Sequence, residues 1–149
     1  MAFEERNAWS ALIACLITFA LFGWPIWVGT AQGTYTGTEG LSLWAWDVIW
    51  LMGGGIAVGI AVVIAFQILF AIVTRTEKPQ FISDERDMMI NRRGAVVTLA
   101  VISGGFIVAV GLLAWGMTAL AALNTILVGM AAGAIASEIY RLAVYRFGF

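Results

Sequence analysis

Histidine is absent from the 149 residues, cysteine occurs once, at Cys15, and only 11% of the side chains are charged. Without histidine there is no His-ligated metal, no His-ligated haem and no histidine general base for a nucleophilic triad. A lone cysteine excludes a disulfide framework and a Cys-based zinc site. Eight basic against nine acidic residues leave a formal net charge of -1, so no electrostatic footprint for nucleic acid is present. No paired carboxylates or phosphate loop appear either: Gly53-Gly54-Gly55 sits within an apolar run with no lysine after it. Neither an enzyme nor a cofactor- or metal-binding protein is expected from this inventory.

What fills the space is apolar side chain, 62% of the chain. Soluble domains carry about 45–50% apolar and about 25% charged residues. A chain this short has too little interior to hide the excess. Four runs reach the roughly 20 residues that cross a hydrocarbon core of about 30 Å. They span about 8–28, 44–73, 94–115 and 118–140, with a break expected at Pro25 near the end of the first. Long unbroken runs favour helices, because lipid leaves no partner for unpaired backbone groups and a barrel would need short alternating strands. The expected fold is therefore an all-α membrane protein of four transmembrane helices.

The few charges are sorted by side. All eight Lys and Arg residues lie near the N-terminus (Arg6), in the second connection (Arg75, Lys78, Arg86, Arg92, Arg93) or near the C-terminus (Arg141, Arg146). The positive-inside rule then places both termini in the cytoplasm of a cell inner (plasma) membrane protein. Tryptophan agrees: Trp24, Trp27, Trp44, Trp46, Trp50 and Trp115 fall at outer span ends and form the expected interfacial belt, with Trp9 alone at the inner end. The first run is read as a retained span, since Glu4, Glu5 and Arg6 give a net negative flank and the apolar run exceeds that of a secretory signal.

Glu4-Glu5-Arg6 before the first span is echoed by Asp84-Glu85-Arg86 before the third. Two parallel helical hairpins, related by a pseudo-two-fold along the membrane normal, would produce such an echo. Acidic residues favoured at helix N-termini would produce it too, with Ser83 as N-cap. These charges have no opposite partner three or four residues away on their own helix. Glu5 is therefore expected to pair across the inner face with Arg86, or with an Arg92/Arg93 site, the alternative being solvated charges and anionic headgroups. Glu5, Arg6, Asp84, Glu85, Arg86, Arg92 and Arg93 are the candidates for contact with a cytoplasmic partner.

Within the spans, Gln67, Glu138 and Arg141 are the polar candidates. Glu138 is the one carboxylate able to lie inside the inner leaflet, where ionisable groups mark function by default. Arg141, three residues on, can pair with it. The G-x-x-x-G pairs Gly55/Gly59 and Gly129/Gly133 predict close helix packing. The outer loop, residues 29–40, is Gly/Thr-rich, and with its alternating Thr-Tyr-Thr is expected to form an extended segment able to lie on a partner. Small multidrug-resistance transporters are similar in size only, because Ala11 to Trp24 contains no carboxylate.

The start Phe3-Glu4-Glu5-Arg6-Asn7-Ala8-Trp9, the segment Ser83-Asp84-Glu85-Arg86-Asp87 and the ending Glu138-Ile139-Tyr140-Arg141-Leu142-Ala143-Val144-Tyr145-Arg146 resemble an uncharacterised bacterial family of small four-helix integral membrane proteins. The resemblance covers nearly the whole chain, implies the same topology and transfers no functional residue. The function expected is a non-enzymatic accessory or assembly subunit of a larger membrane complex, with membrane lipids and other subunits or a second copy as partners. The alternatives are a small oligomeric transporter component using Glu138 and a docking site for a cytoplasmic partner.

Overall fold

A computed structural model describes residues 3–74 and 84–148; Arg75, Lys78 and the expected N-cap Ser83 lie outside the described residues. Within them the chain is all-helical, with four helices long and apolar enough to cross a membrane. The first combines α1 (Phe3–Thr18), a wide π turn (Phe19–Gly23) and α2 (Trp24–Ala31). Then follow α3 (Gly37–Thr74), α4 (Glu85–Ala114) and α5 (Ala119–Phe147).

Pro25 does not break the first helix. It stands at the start of α2 immediately after the π turn, in which the Trp24 N–H reaches back to the Phe19 carbonyl. Proline has no N–H and its ring crowds the carbonyl four residues before it. The wider i to i+5 turn relieves that crowding, and the helix runs on to Ala31.

Correspondingly, the expected extended loop over residues 29–40 is helical at both ends, and only residues 32–36 lie between α2 and α3. Gly33 (φ +75°) closes α2 as a Schellman motif: its N–H donates to the Thr30 carbonyl and the Thr34 N–H to Gly29. The same motif ends α4 at Gly116 (φ +78°), with the Met117 N–H donating to Leu112. Thr118 then caps α5, its hydroxyl accepting from the Ala121 N–H at 3.2 Å. At the start of α4 the N-cap is Asp84, not Ser83. Its carboxylate accepts from the Glu85 N–H, and Asp87 completes a reciprocal capping box.

Consecutive helices run antiparallel. The first packs along α3, and α4 packs along α5 over the most extensive contact in the chain. Gly105 and Gly129 carry this second pairing, since a Cβ on either would sit 3.1–3.2 Å from the other's Cα. Gly133 abuts the Thr98 carbonyl in the same way. Among the described residues the halves join mainly where α1 meets α5, with α3 reaching α5 beside Trp44, and no contact of similar extent links α3 to α4. A two-fold would require that matching contact, so the paired hairpins do not have the symmetric arrangement the sequence echo suggested.

Candidate functional site: an apolar groove between polar layers

With α3 held on one flank only, it diverges from α5 and leaves a groove of about 500 Å³, floored by α1. Ala11, Ala14 and Thr18 line the floor, Leu51, Gly55 and Gly59 one wall, and Leu127, Ala131 and Ala134 the other. Gly55 is in contact with Thr18, whereas a Cβ on Gly59 would meet nothing within 4 Å. The two glycines of that pair therefore differ in role, and Gly59 opens onto the groove. Gly54, which the spacing did not single out, lies under the Phe22 ring.

At the tryptophan-rich end the groove is closed by a polar layer. Trp44 Nε1 donates to Asn124 Oδ1 at 2.8 Å, Asn124 Nδ2 donates to Thr30 Oγ1 at 3.1 Å, and the Thr30 hydroxyl donates to the Ile26 carbonyl at 2.8 Å. One side chain of α5 thus ties both the first helix and α3. Trp44 is accordingly buried, at 8% exposure, while Trp24, Trp27, Trp46, Trp50 and Trp115 are 58–87% exposed. Five of the six expected belt residues face outward and Trp44 does not. Its indole N–H finds a protein partner, as a buried tryptophan requires.

Tyr35 buttresses this end. Its ring lies against Gly29, its backbone against Gly40, and its hydroxyl donates to Asp47 Oδ2 at 2.6 Å. A side chain at Gly40 would run into the Tyr35 backbone, so the tight return needs glycine there. Burial, then the hydrogen bond and negative charge of Asp47, push the phenol up to about 12. The Thr-Tyr-Thr pattern was legible as sequence, but its inward packing was not; Gly29 and Gly40 are the signal that could have revealed it.

The opposite end carries a second layer, one helical turn past the groove on each wall. Asn7 stands four residues before Ala11, Gln67 four after Val63 and Glu138 four after Ala134, so each continues a groove-lining face. Gln67 Nε2 donates to Asn7 Oδ1 at 3.4 Å. The Arg6 guanidinium, buried at 6% exposure, lies 4.0 Å from the Phe70 ring centroid. Arg6 is turned into the bundle, and half-buried Glu5 forms no ion pair with Arg86. Asp84, Glu85, Arg86, Arg92 and Arg93 are exposed. The expected Glu5–Arg86 bridge is replaced by a different cross-link, in which Tyr145 of α5 donates to Asp87 Oδ1 at 2.9 Å.

Glu138 and Arg141 form an ion pair, Oε1 to Nη1 at 3.4 Å, and both side chains are largely buried. Gly94 makes room for it: a Cβ there would sit 2.6 Å from Arg141 Nε and 3.0 Å from Ser137 Oγ. The pair leaves demand unmet, since Glu138 Oε2, Arg141 Nε and Ser137 Oγ are buried without a hydrogen-bond partner. Unmatched groups of this kind cost about 1–3 kcal/mol each, more when charged.

Comparison with family models, curated proteins and solved structures finds no match. The arrangement must therefore be read by its own chemistry: an apolar slot, a satisfied polar layer at one end and an unsatisfied carboxylate near the other.

Proposed function

We propose that the chain is a multi-pass protein of the cell inner (plasma) membrane, with both termini cytoplasmic, acting as a non-enzymatic accessory or assembly subunit of a larger membrane complex. The observation that carries this reading is the bare flank of α3. Its most apolar stretch contains no buried residue, although the helix is the longest in the chain. Small residues beside that flank, Gly53 and Gly59, face open space and suit close lateral approach of another membrane component. Native mass spectrometry of gently solubilised protein tests it: a co-purifying membrane subunit is expected, and a lone monomer would overturn the reading.

A second reading, a small oligomeric transporter component with Glu138 as coupling group, is favoured by the unpartnered Oε2. Glu138→Gln should then abolish transport while assembly persists. Exposed Arg86, Arg92 and Arg93 favour a third role, docking a cytoplasmic partner beside Asp84 and Glu85. Alanine at the three arginines should release that partner and leave membrane assembly intact.

A further inference from the structure

One face of α4 sets out its side chains in the order in which a phospholipid sets out the groups that complement them. Glu85, Met88, Arg92, Val96, Leu99 and Phe106 fall on one side of the helix, and all are exposed. Ile90 and Gly94, on the opposite side, are buried. From its inner end the exposed face therefore reads carboxylate, cation, hydrocarbon.

Arg92 and Arg93 are the last charges before the apolar run that begins at Gly94, so they stand where hydrocarbon gives way to headgroups. Neither has an ion pair among the described residues. Helix side chains lean toward the N-terminus, which carries both guanidinium groups back over Met88 and Met89 toward Glu85. Planar guanidinium forks of this kind recognise phosphate.

Glu85 lies about 10 Å from Arg92 along the axis, at about 1.5 Å per residue, and it too has no ion pair among the described residues. Its acidic neighbours are engaged: Asp84 and Asp87 cap the helix, and Asp87 also accepts from Tyr145. Arg86 lies on the flank shared with Arg93, off the line from Glu85 to Arg92. A headgroup of phosphate alone would set its charge against three carboxylates. One that carries an ammonium on the water side of its phosphate meets both signs in order. A primary ammonium also donates hydrogen bonds to a carboxylate, which a quaternary one cannot do.

We propose that this face binds an inner-leaflet phospholipid with a phosphoethanolamine headgroup, its phosphate on Arg92 and Arg93, its ammonium donating to Glu85, and an acyl chain along Val96, Leu99 and Phe106. The site requires the membrane placement proposed above and is independent of any larger assembly.

The test uses full-length protein in nanodiscs of phosphatidylethanolamine, phosphatidylcholine and phosphatidylglycerol in equal parts with identical acyl chains, released into native mass spectrometry to count the lipids retained. Wild-type protein is expected to retain the ethanolamine lipid about threefold over either of the others, the fold-change of an exposed ion pair. Glu85→Gln should erase that preference. Arg92→Gln combined with Arg93→Gln should lower retention of all three lipids, by about fivefold per charge removed. These changes fall on exposed side chains and leave the helix contacts intact. Equal retention of the ethanolamine and choline lipids, or stronger retention of the glycerol lipid, would overturn the headgroup assignment. Unchanged retention in the double arginine variant would overturn the site and leave those arginines to a soluble partner. Flotation with vesicles of the same lipids after an alkaline wash reads the membrane placement separately: protein that floats without a lipid preference refutes the headgroup alone, and protein that fails to float refutes placement and site together.

Discussion

Replacing Asn124 with leucine removes a side chain that bonds α5 to both the first helix and α3, while nearly conserving volume. Two hydrogen bonds disappear, at 2.8 and 3.1 Å. Interhelical polar contacts in membrane proteins average about 0.6 kcal/mol and reach about 1.7. Two of them give about 1.2 kcal/mol, and the Trp44 indole N–H is left buried without a partner, adding about 1 kcal/mol or more. A destabilisation of about 2 kcal/mol is therefore expected for Asn124→Leu. Thr30 contributes little to the loss, because its hydroxyl keeps the Ile26 carbonyl. Trp44→Phe should cost a similar amount for the mirror reason, stranding Asn124 Oδ1. The double variant removes donor and acceptor together, so it should cost less than the sum by about 1 kcal/mol. Reversible unfolding in mixed micelles, followed by circular dichroism, measures all three. Strict additivity, or an Asn124→Leu variant as stable as wild type, would refute the tie between the halves.

Three further outcomes are expected. Gly129→Val should destabilise by about 1–3 kcal/mol in the same unfolding assay, because it overpacks against the Gly105 backbone, whereas Gly104→Val meets open space and should be near neutral. Tyr35 should ionise near pH 12, above its usual value of about 10, so its contribution to stability is complete below pH 10 and is lost as pH rises through 12. Tyrosinate absorbance of wild type minus Tyr35→Phe reads this directly, and a transition near 10 would count against the buried Tyr35–Asp47 bond. Cysteine introduced at Gln32 or Arg93, in a Cys15→Ser background, should be labelled by impermeant maleimide from opposite faces of the membrane; labelling from one face would reverse the proposed topology.

Length and apolarity made the four helices legible, because they are properties of each segment alone. Their directions of burial were less so. Trp44 and Trp46 carry the same residue type two positions apart, yet one bonds Asn124 and the other faces outward. Only the position of α5, 80 residues on, separates them. Gly129/Gly133 was legible as a packing face, while Gly55/Gly59 was only half so, because spacing cannot tell whether a neighbour is present. The Glu138–Arg141 pair followed from i,i+3 geometry, but the burial that leaves Oε2 unmatched depends on the neighbouring helices. Pro25 misled for a local reason: proline breaks an α-helix, and the preceding turn is not α.

That turn has a genetic consequence. A π turn holds one residue more than the ladder around it, so Phe19–Gly23 absorbs a single extra residue locally. Deleting Ala20 would close the Phe19–Trp24 bond to an α-turn and leave the residues beyond it near their present facing, so Thr30 would keep Asn124 and Ile26 the cluster beside Trp44, with crowding returned only at Pro25. A one-residue deletion in the α-helical turns on either side would instead rotate one end of the helix against the other by about 100°. The first helix should therefore accept a one-codon gap inside residues 19–23 and lose its contact with Asn124 when the same gap falls in the turns just beyond.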